Sequence, residues 1–159
     1  MYHLADAYWL TVLITALAAY LGALVFSAAA VPGLVVTRLD ESAAAVLLRA
    51  FWPLYHRFAA IAGTGLTLLL AWRVTGSPLP DLYALLLVAL AGGMTTCFFV
   101  GGTLIDSINR ARDADDGATF DRLHRIDVAL VGLGVILGVV LLTAAIYVLP
   151  GQFTFWQTA

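Results

Sequence analysis

The sequence predicts an all-α integral membrane protein, a four-helix bundle, from three observations. Of its 159 residues, 62% are hydrophobic and only 11% are charged, a composition outside the range of soluble domains. The apolar residues gather into four blocks of the length that a helix needs to cross about 30 Å of hydrocarbon. Charge is collected between the blocks, most densely in "DSINRARDADDGATFDRLHRID", Asp106 to Asp127, where ten of twenty-two residues are Asp or Arg.

The four elements follow in order within one transmembrane domain, 1–159. A first helix is expected over about 8–31, stopped by Pro32-Gly33. "SAAAVPG" has the small residues of a signal cleavage site, but the span lacks a basic flank and reads as a retained membrane helix. The second helix has a purely apolar part of only "FAAIAGTGLTLLLAW". The helix-compatible "ESAAAVLLRAFWPLYHR" before it extends the element to about 42–73, with the outer half in the interface and a bend at Pro53. After the turn "TGSPLPD" the third helix covers about 81–112, and the fourth about 119–149, before Pro150-Gly151.

Arginine sets the expected orientation. Arg38, Arg49, Arg57, Arg110, Arg112, Arg122 and Arg125 flank loops one and three, against Arg73 alone on the other side. The positive-inside rule then puts loops 32–50 and 106–125 in the cytoplasm and both termini on the outer, periplasmic side of a bacterial inner membrane. Aromatic residues mark the same edges, with Tyr8, Trp9, Trp72, Tyr83, Tyr147 and Trp156 outside and Trp52, Tyr55 and Phe58 inside. The lipid bilayer is the expected partner. With no lysine and a net charge of −2, nothing suggests a nucleic-acid surface. The single cysteine, Cys97, excludes an internal disulfide and a Cys-rich metal site.

The charged segment reads as a hairpin joining helices three and four. Asp106 with Arg110 and Asp121 with Arg125 are i,i+4 pairs in the favourable order, each contributing a few tenths of a kcal/mol. "DADDG" supplies a turn at Gly117, and Thr119 is placed to cap helix four. An EF-hand is excluded, because the glycine falls one place early and no glutamate follows. Asp127 stands apart, next to an unbroken apolar run, where an acid needs an interior partner. On helical periodicity Phe120, His124, Asp127, Val131, Gly134 and Gly138 share one face, and Arg49, His56, Ala60, Gly63 and Thr67 another. The expected constellation is a polar cluster at the cytoplasmic edge, made of Arg49, His56, Arg57, Asp106, Asn109, Arg112, Asp113, His124 and Asp127. Its plainest role is to hold helix ends together.

"GALVFSAAAVPGL", "AFWPLYHRF", "INRARD" and "FDRLHR" resemble the motifs of the family typified by transmembrane protein 205, four-span membrane proteins with bacterial members of unknown function. The resemblance covers about Leu17 to Tyr147. It implies a four-span fold, with Pro32, Tyr55, Asn109, Arg112, Asp113, Phe120 and His124 as characteristic positions and an aromatic residue where this chain has His56. Eukaryotic members are associated with drug tolerance and membrane trafficking; no reaction is implied.

No nucleophile-and-base arrangement, HExxH or cysteine pair points to catalysis or to a metal. The leading expectation is an accessory or partner-binding membrane subunit, associating with other membrane subunits or with its own copies. Small residues on helix one (Ala19, Ala23, Ser27) and helix three (Gly92, Gly93, Gly101, Gly102) are the surfaces for it. Two alternatives remain. A proton, cation or small-molecule carrier would use Asp106, His124 and Asp127; a b-type haem protein would use His56 and His124 as axial ligands.

Overall fold

A computed structural model of the chain describes residues 2–75 and 82–147, with the side chains of 8–72 and 82–147. It is all-helical, with α1 Tyr2–Arg38, α2 Glu41–Thr75, α3 Leu82–Asp113 and α4 Gly117–Tyr147. All four are long and apolar enough to cross a membrane. At 1.5 Å per residue helices of 31 to 37 residues are about 46–56 Å long, so each exceeds the hydrocarbon thickness of about 30 Å by roughly three to five turns.

Packing between elements gives the ring order α1, α2, α3, α4. Helix α3 packs against both α2 and α4, and α1 closes the ring against the same two. Helices α2 and α3 run antiparallel, since Thr67 meets Thr95 while Arg49 meets Asp113. The core is built from Leu13, Leu17 and Leu24 of α1, Tyr55 and Ala59 of α2, Met94 and Phe98 of α3, and Leu141 of α4. Glycines let these side chains seat. A Cβ on Gly134 would lie 2.8 Å from the Phe98 ring, and one on Gly138 would collide with Leu21. Large apolar residues turn outward on every helix, among them Phe26, Ile61, Phe99 and Ile136.

Pro32 does not end the first helix. Helix α1 runs on through Pro32 to Arg38, because a proline removes only one backbone donor, a loss that neighbouring helices and Ser/Thr side chains in such helices make tolerable. Thr37 Oγ1 donates to Gly33 O at 2.8 Å in the turn that follows. Only Leu39 and Asp40 separate α1 from α2. Asp40 caps α2, its Oδ1 accepting from the Ala43 amide at 2.9 Å and from Ser42 Oγ at 2.7 Å. These bonds hold the Asp40 carboxyl below its ordinary value.

The second tight connection also differs from the sequence expectation. Gly117 is already the first residue of α4, and the left-handed position belongs to Asp115, with φ 54°. The amide of Asp116 donates to Ala111 O at 2.9 Å and that of Asp115 to Arg112 O at 3.2 Å, which together form a Schellman ending for α3. Asp116, not Thr119, is the cap of α4: its Oδ1 accepts from the Thr119 amide at 3.0 Å. That bond, with one from the Thr119 side chain, lowers the Asp116 carboxyl.

Tyr8, Trp72, Tyr83 and Tyr147 lie exposed at the bundle end opposite these two connections. Tyr55, expected at an interface, is instead buried against Phe98. Residues 76–81 of the turn "TGSPLPD", Pro150-Gly151 and Trp156, and the side chains of His3 and Arg73, lie outside the described residues.

Two outcomes follow from the connections. Asp115→Gly relieves a left-handed conformation and raises stability by up to about 1 kcal/mol, read by thermal or denaturant unfolding in detergent. A carboxyl depressed in the folded state stabilises above its unfolded value and loses that contribution as pH falls through the folded one. The Ala43 and Thr119 amides should therefore stay protected from hydrogen exchange above about pH 4 and lose protection only in stronger acid.

Candidate functional site

The site begins with a missing side chain. Helices α2 and α4 stand across α3 from each other, so a residue of α2 reaches one of α4 only where α3 leaves room. Gly101 and Gly102 provide that room. A Cβ on Gly101 would lie 2.8 Å from Asp127 Oδ1 and 3.0 Å from His56 Nε2, and one on Gly102 3.2 Å from His56 Cβ. Through this gap His56 Nε2 and Asp127 Oδ1 meet at 2.9 Å. Residue exposures of 2% and 4% make them the only buried polar or charged residues among those described.

Aromatic side chains wall the pair. The Tyr55 ring lies 5.3 Å and the Trp52 ring 6.3 Å from the His56 ring, and Tyr55 packs edge-on against Phe98 with ring centroids 6.1 Å apart. Two polar atoms inside this wall, Tyr55 Oη and His56 Nδ1, are buried without a hydrogen-bond partner. The Asp127 carboxylate is within electrostatic reach of the Tyr55 hydroxyl.

Deeper in the bundle the hydroxyls of Tyr20, Thr67 and Thr95 are satisfied. Tyr20 Oη donates to Ala59 O at 2.8 Å. Thr67 and Thr95 hydroxyls are 3.2 Å apart beside Gly63, and also donate to the carbonyls of Gly63 and Ala91.

The expected nine-residue cluster is divided. His56 and Asp127 form the buried pair. Arg49 and Asp113 form an exposed ion pair, Arg49 Nη2 to Asp113 Oδ1, that joins α2 to the end of α3. Arg112 lies over the Phe120 ring, 4.9 Å from its centroid, and Phe120 stacks on His124 at 5.6 Å with the planes 10° apart. Arg57 and Asp106 are exposed, and Asn109 is half-buried. The i,i+4 ion pairs of the hairpin are not made: Arg110 donates to Ser107 Oγ at 3.0 Å, and Arg125 Nε donates to the Asp121 carbonyl at 3.2 Å. A long side chain at a helix surface takes whichever acceptor its rotamer reaches, and the coulombic gain in water is too small to choose.

His56 and His124 are not brought together as a ligand pair. The Nε2 of His56 is occupied by Asp127 with Gly101 closed over both, while His124 is exposed and stacked on Phe120. Among the described residues no three His, Cys, Asp or Glu side chains converge as metal ligands.

Sequence reasoning missed Gly101 as part of the site and assigned it to an outer packing surface. Its signal was the Gly101-Gly102 doublet on α3, four residues before Asp106, but a doublet does not say which way it faces. Comparison with protein-family models, curated proteins and solved structures finds no match for this chain.

The gap sets the expected effects of substitution. Gly101→Val should separate the pair and destabilise the bundle, whereas Gly92→Ala, which meets no atom within 4 Å, should be neutral or stabilising by up to about 1 kcal/mol in the same thermal assay. Asp127→Leu leaves His56 Nε2 buried without a partner and should cost about 1–3 kcal/mol; Asp106→Ala, at an exposed position, should stay within about 0.5 kcal/mol of the parent chain.

Proposed function

We propose that this chain is a multi-pass membrane protein of a bacterial inner membrane, with loops 32–50 and 106–125 cytoplasmic and both termini periplasmic, acting as an accessory, partner-binding subunit. The observation that carries the partner-binding reading is the outer face of α1. Thr15, Ala18, Ala19 and Gly22 are exposed in a row, and a Cβ on Gly22 would meet nothing within 4 Å. A shallow row of this kind lets a second transmembrane helix approach closely, and in lipid close approach is the main source of helix association. Helix three contributes less to such a surface than its glycines suggest, since Gly101 and Gly102 face His56 and Gly93 faces Leu137.

The orientation rests on the seven arginines near loops one and three. The resemblance to the transmembrane protein 205 family is compatible with the four-span arrangement and adds no reaction. A second reading, a proton or cation carrier, is favoured by one feature, the buried His56–Asp127 pair: ionisable side chains within spans are functional more often than ornamental.

Gly22→Leu and Ala19→Leu test the subunit reading. Each should abolish stoichiometric co-purification of a partner, or self-association measured in detergent, while leaving the unfolding transition of the chain unchanged. Co-purification and assembly identical to the parent's would defeat it. For orientation, a cysteine at Asp116 should react with an impermeant thiol reagent from the cytoplasmic side alone, with little background because the native Cys97 is buried. Labelling from the periplasm would reverse the topology.

A further inference from the structure

We infer that His56 and Asp127 form a proton-binding site inside the bundle, one that takes up a single proton from the charged end of the molecule. The inference does not depend on the subunit reading, because it concerns the state of two side chains that no partner needs to touch.

The geometry supplies an acceptor and a reason for the proton to stay. With Asp127 ionised and His56 neutral, the Nε2–H donates to Oδ1 across 2.9 Å. The lone pair of Nδ1 is then left buried with no donor. In that form the pair carries one uncompensated negative charge among Trp52, Tyr55 and Phe98, a surrounding that solvates an ion poorly. Addition of one proton forms an N–H bond at Nδ1 and gives an imidazolium beside a carboxylate. If the Nε2 proton then shifts to Oδ1, the result is a neutral imidazole beside a carboxylic acid. Both loaded forms have zero net charge, and nothing is oxidised or reduced. Tyr55 Oη, buried and without a partner, is the other polar group in the same wall.

The proton has a short way in. The exposed carboxyl of Asp106 follows Gly102 by four residues on α3, and the exposed His124 precedes Asp127 by three on α4, so each stands about one turn nearer the charged connections. Arg57, exposed and next to His56 on α2, is the nearest fixed positive charge in sequence. From α1 the titratable group is Tyr20, whose hydroxyl is committed to Ala59 O. Among the described residues the pair is thus bounded by exposed titratable groups toward one end, and by the committed hydroxyl of Tyr20, the threonine seam and the apolar core toward the other.

The test reads the two side chains directly in the intact chain, reconstituted in lipid nanodiscs, with ¹⁵N-labelled histidine and ¹³C-carboxyl-labelled aspartate. Nuclear magnetic resonance across about pH 5 to 8, the range where histidine ordinarily titrates, should show the His56 ring nitrogens and the Asp127 carboxyl carbon changing at a common midpoint, because a coupled pair titrates as a unit. In Asp127→Asn the His56 midpoint should move by about one unit or more. Ring and carboxyl signals that change at separate midpoints, or that do not change, would overturn the proposal in the parent protein alone, even if the variant fails to fold. A His56 midpoint unmoved in a folded Asp127→Asn chain would overturn it as well.

Discussion

One hydrogen bond, His56 to Asp127, constrains the packing around it, because it joins two helices that are not neighbours. The span between α2 and α4 is bridged over α3, and bridging is possible only where α3 has no side chain, at Gly101. Burial makes the constraint strict. A polar atom removed from water and left unpaired costs more than the bond itself contributes, so the register of α2, α3 and α4 at this level is set together. The same device recurs with apolar groups, where Phe98 rests in the notch at Gly134 and Leu21 in the notch at Gly138. Close packing of this kind leaves little freedom to slide one helix against another.

At the other extreme of strength are the polar contacts near the two tight connections. Arg49–Asp113, the Arg112–Phe120–His124 stack and the Asp40 and Asp116 caps are exposed, and each contributes modestly. Their effect is local: they finish helices and fix short connections. The density of charge there follows from this division, since residues that end helices and meet water are polar, and one acid, Asp127, is drawn inward to His56. The subunit reading draws on the outer face of α1, and the carrier and proton-binding readings both draw on the interior pair beneath the connections.

The legibility of the sequence follows the range of each interaction. Hydrophobic blocks and arginine placement are properties of segments, so four long apolar helices could be read directly, and Asp127 could be recognised as an acid in need of a partner. Finer local readings failed where two local rules competed. Pro32-Gly33 is a stop signal by composition, yet α1 continues through it because one lost backbone bond does not outweigh the packing that follows. Gly117 looked like the turn residue, while Asp115 adopts the left-handed conformation because aspartate tolerates it and Asp116 is needed as the cap. The two histidines looked alike by depth, and the rotation of each helix about its axis buries His56 and leaves His124 exposed.

By itself, then, the amino-acid sequence determined that the molecule is all-helical, that it has four helices long and apolar enough to cross a membrane, and where along the chain charge collects, because these depend on composition and on spacing along a single chain. The tertiary structure decided which polar residues are buried, that His56 rather than an arginine meets Asp127, and that Gly101 faces inward. Those outcomes depend on how three helices rotate and settle against one another, and no pattern within one helix records the space left by another.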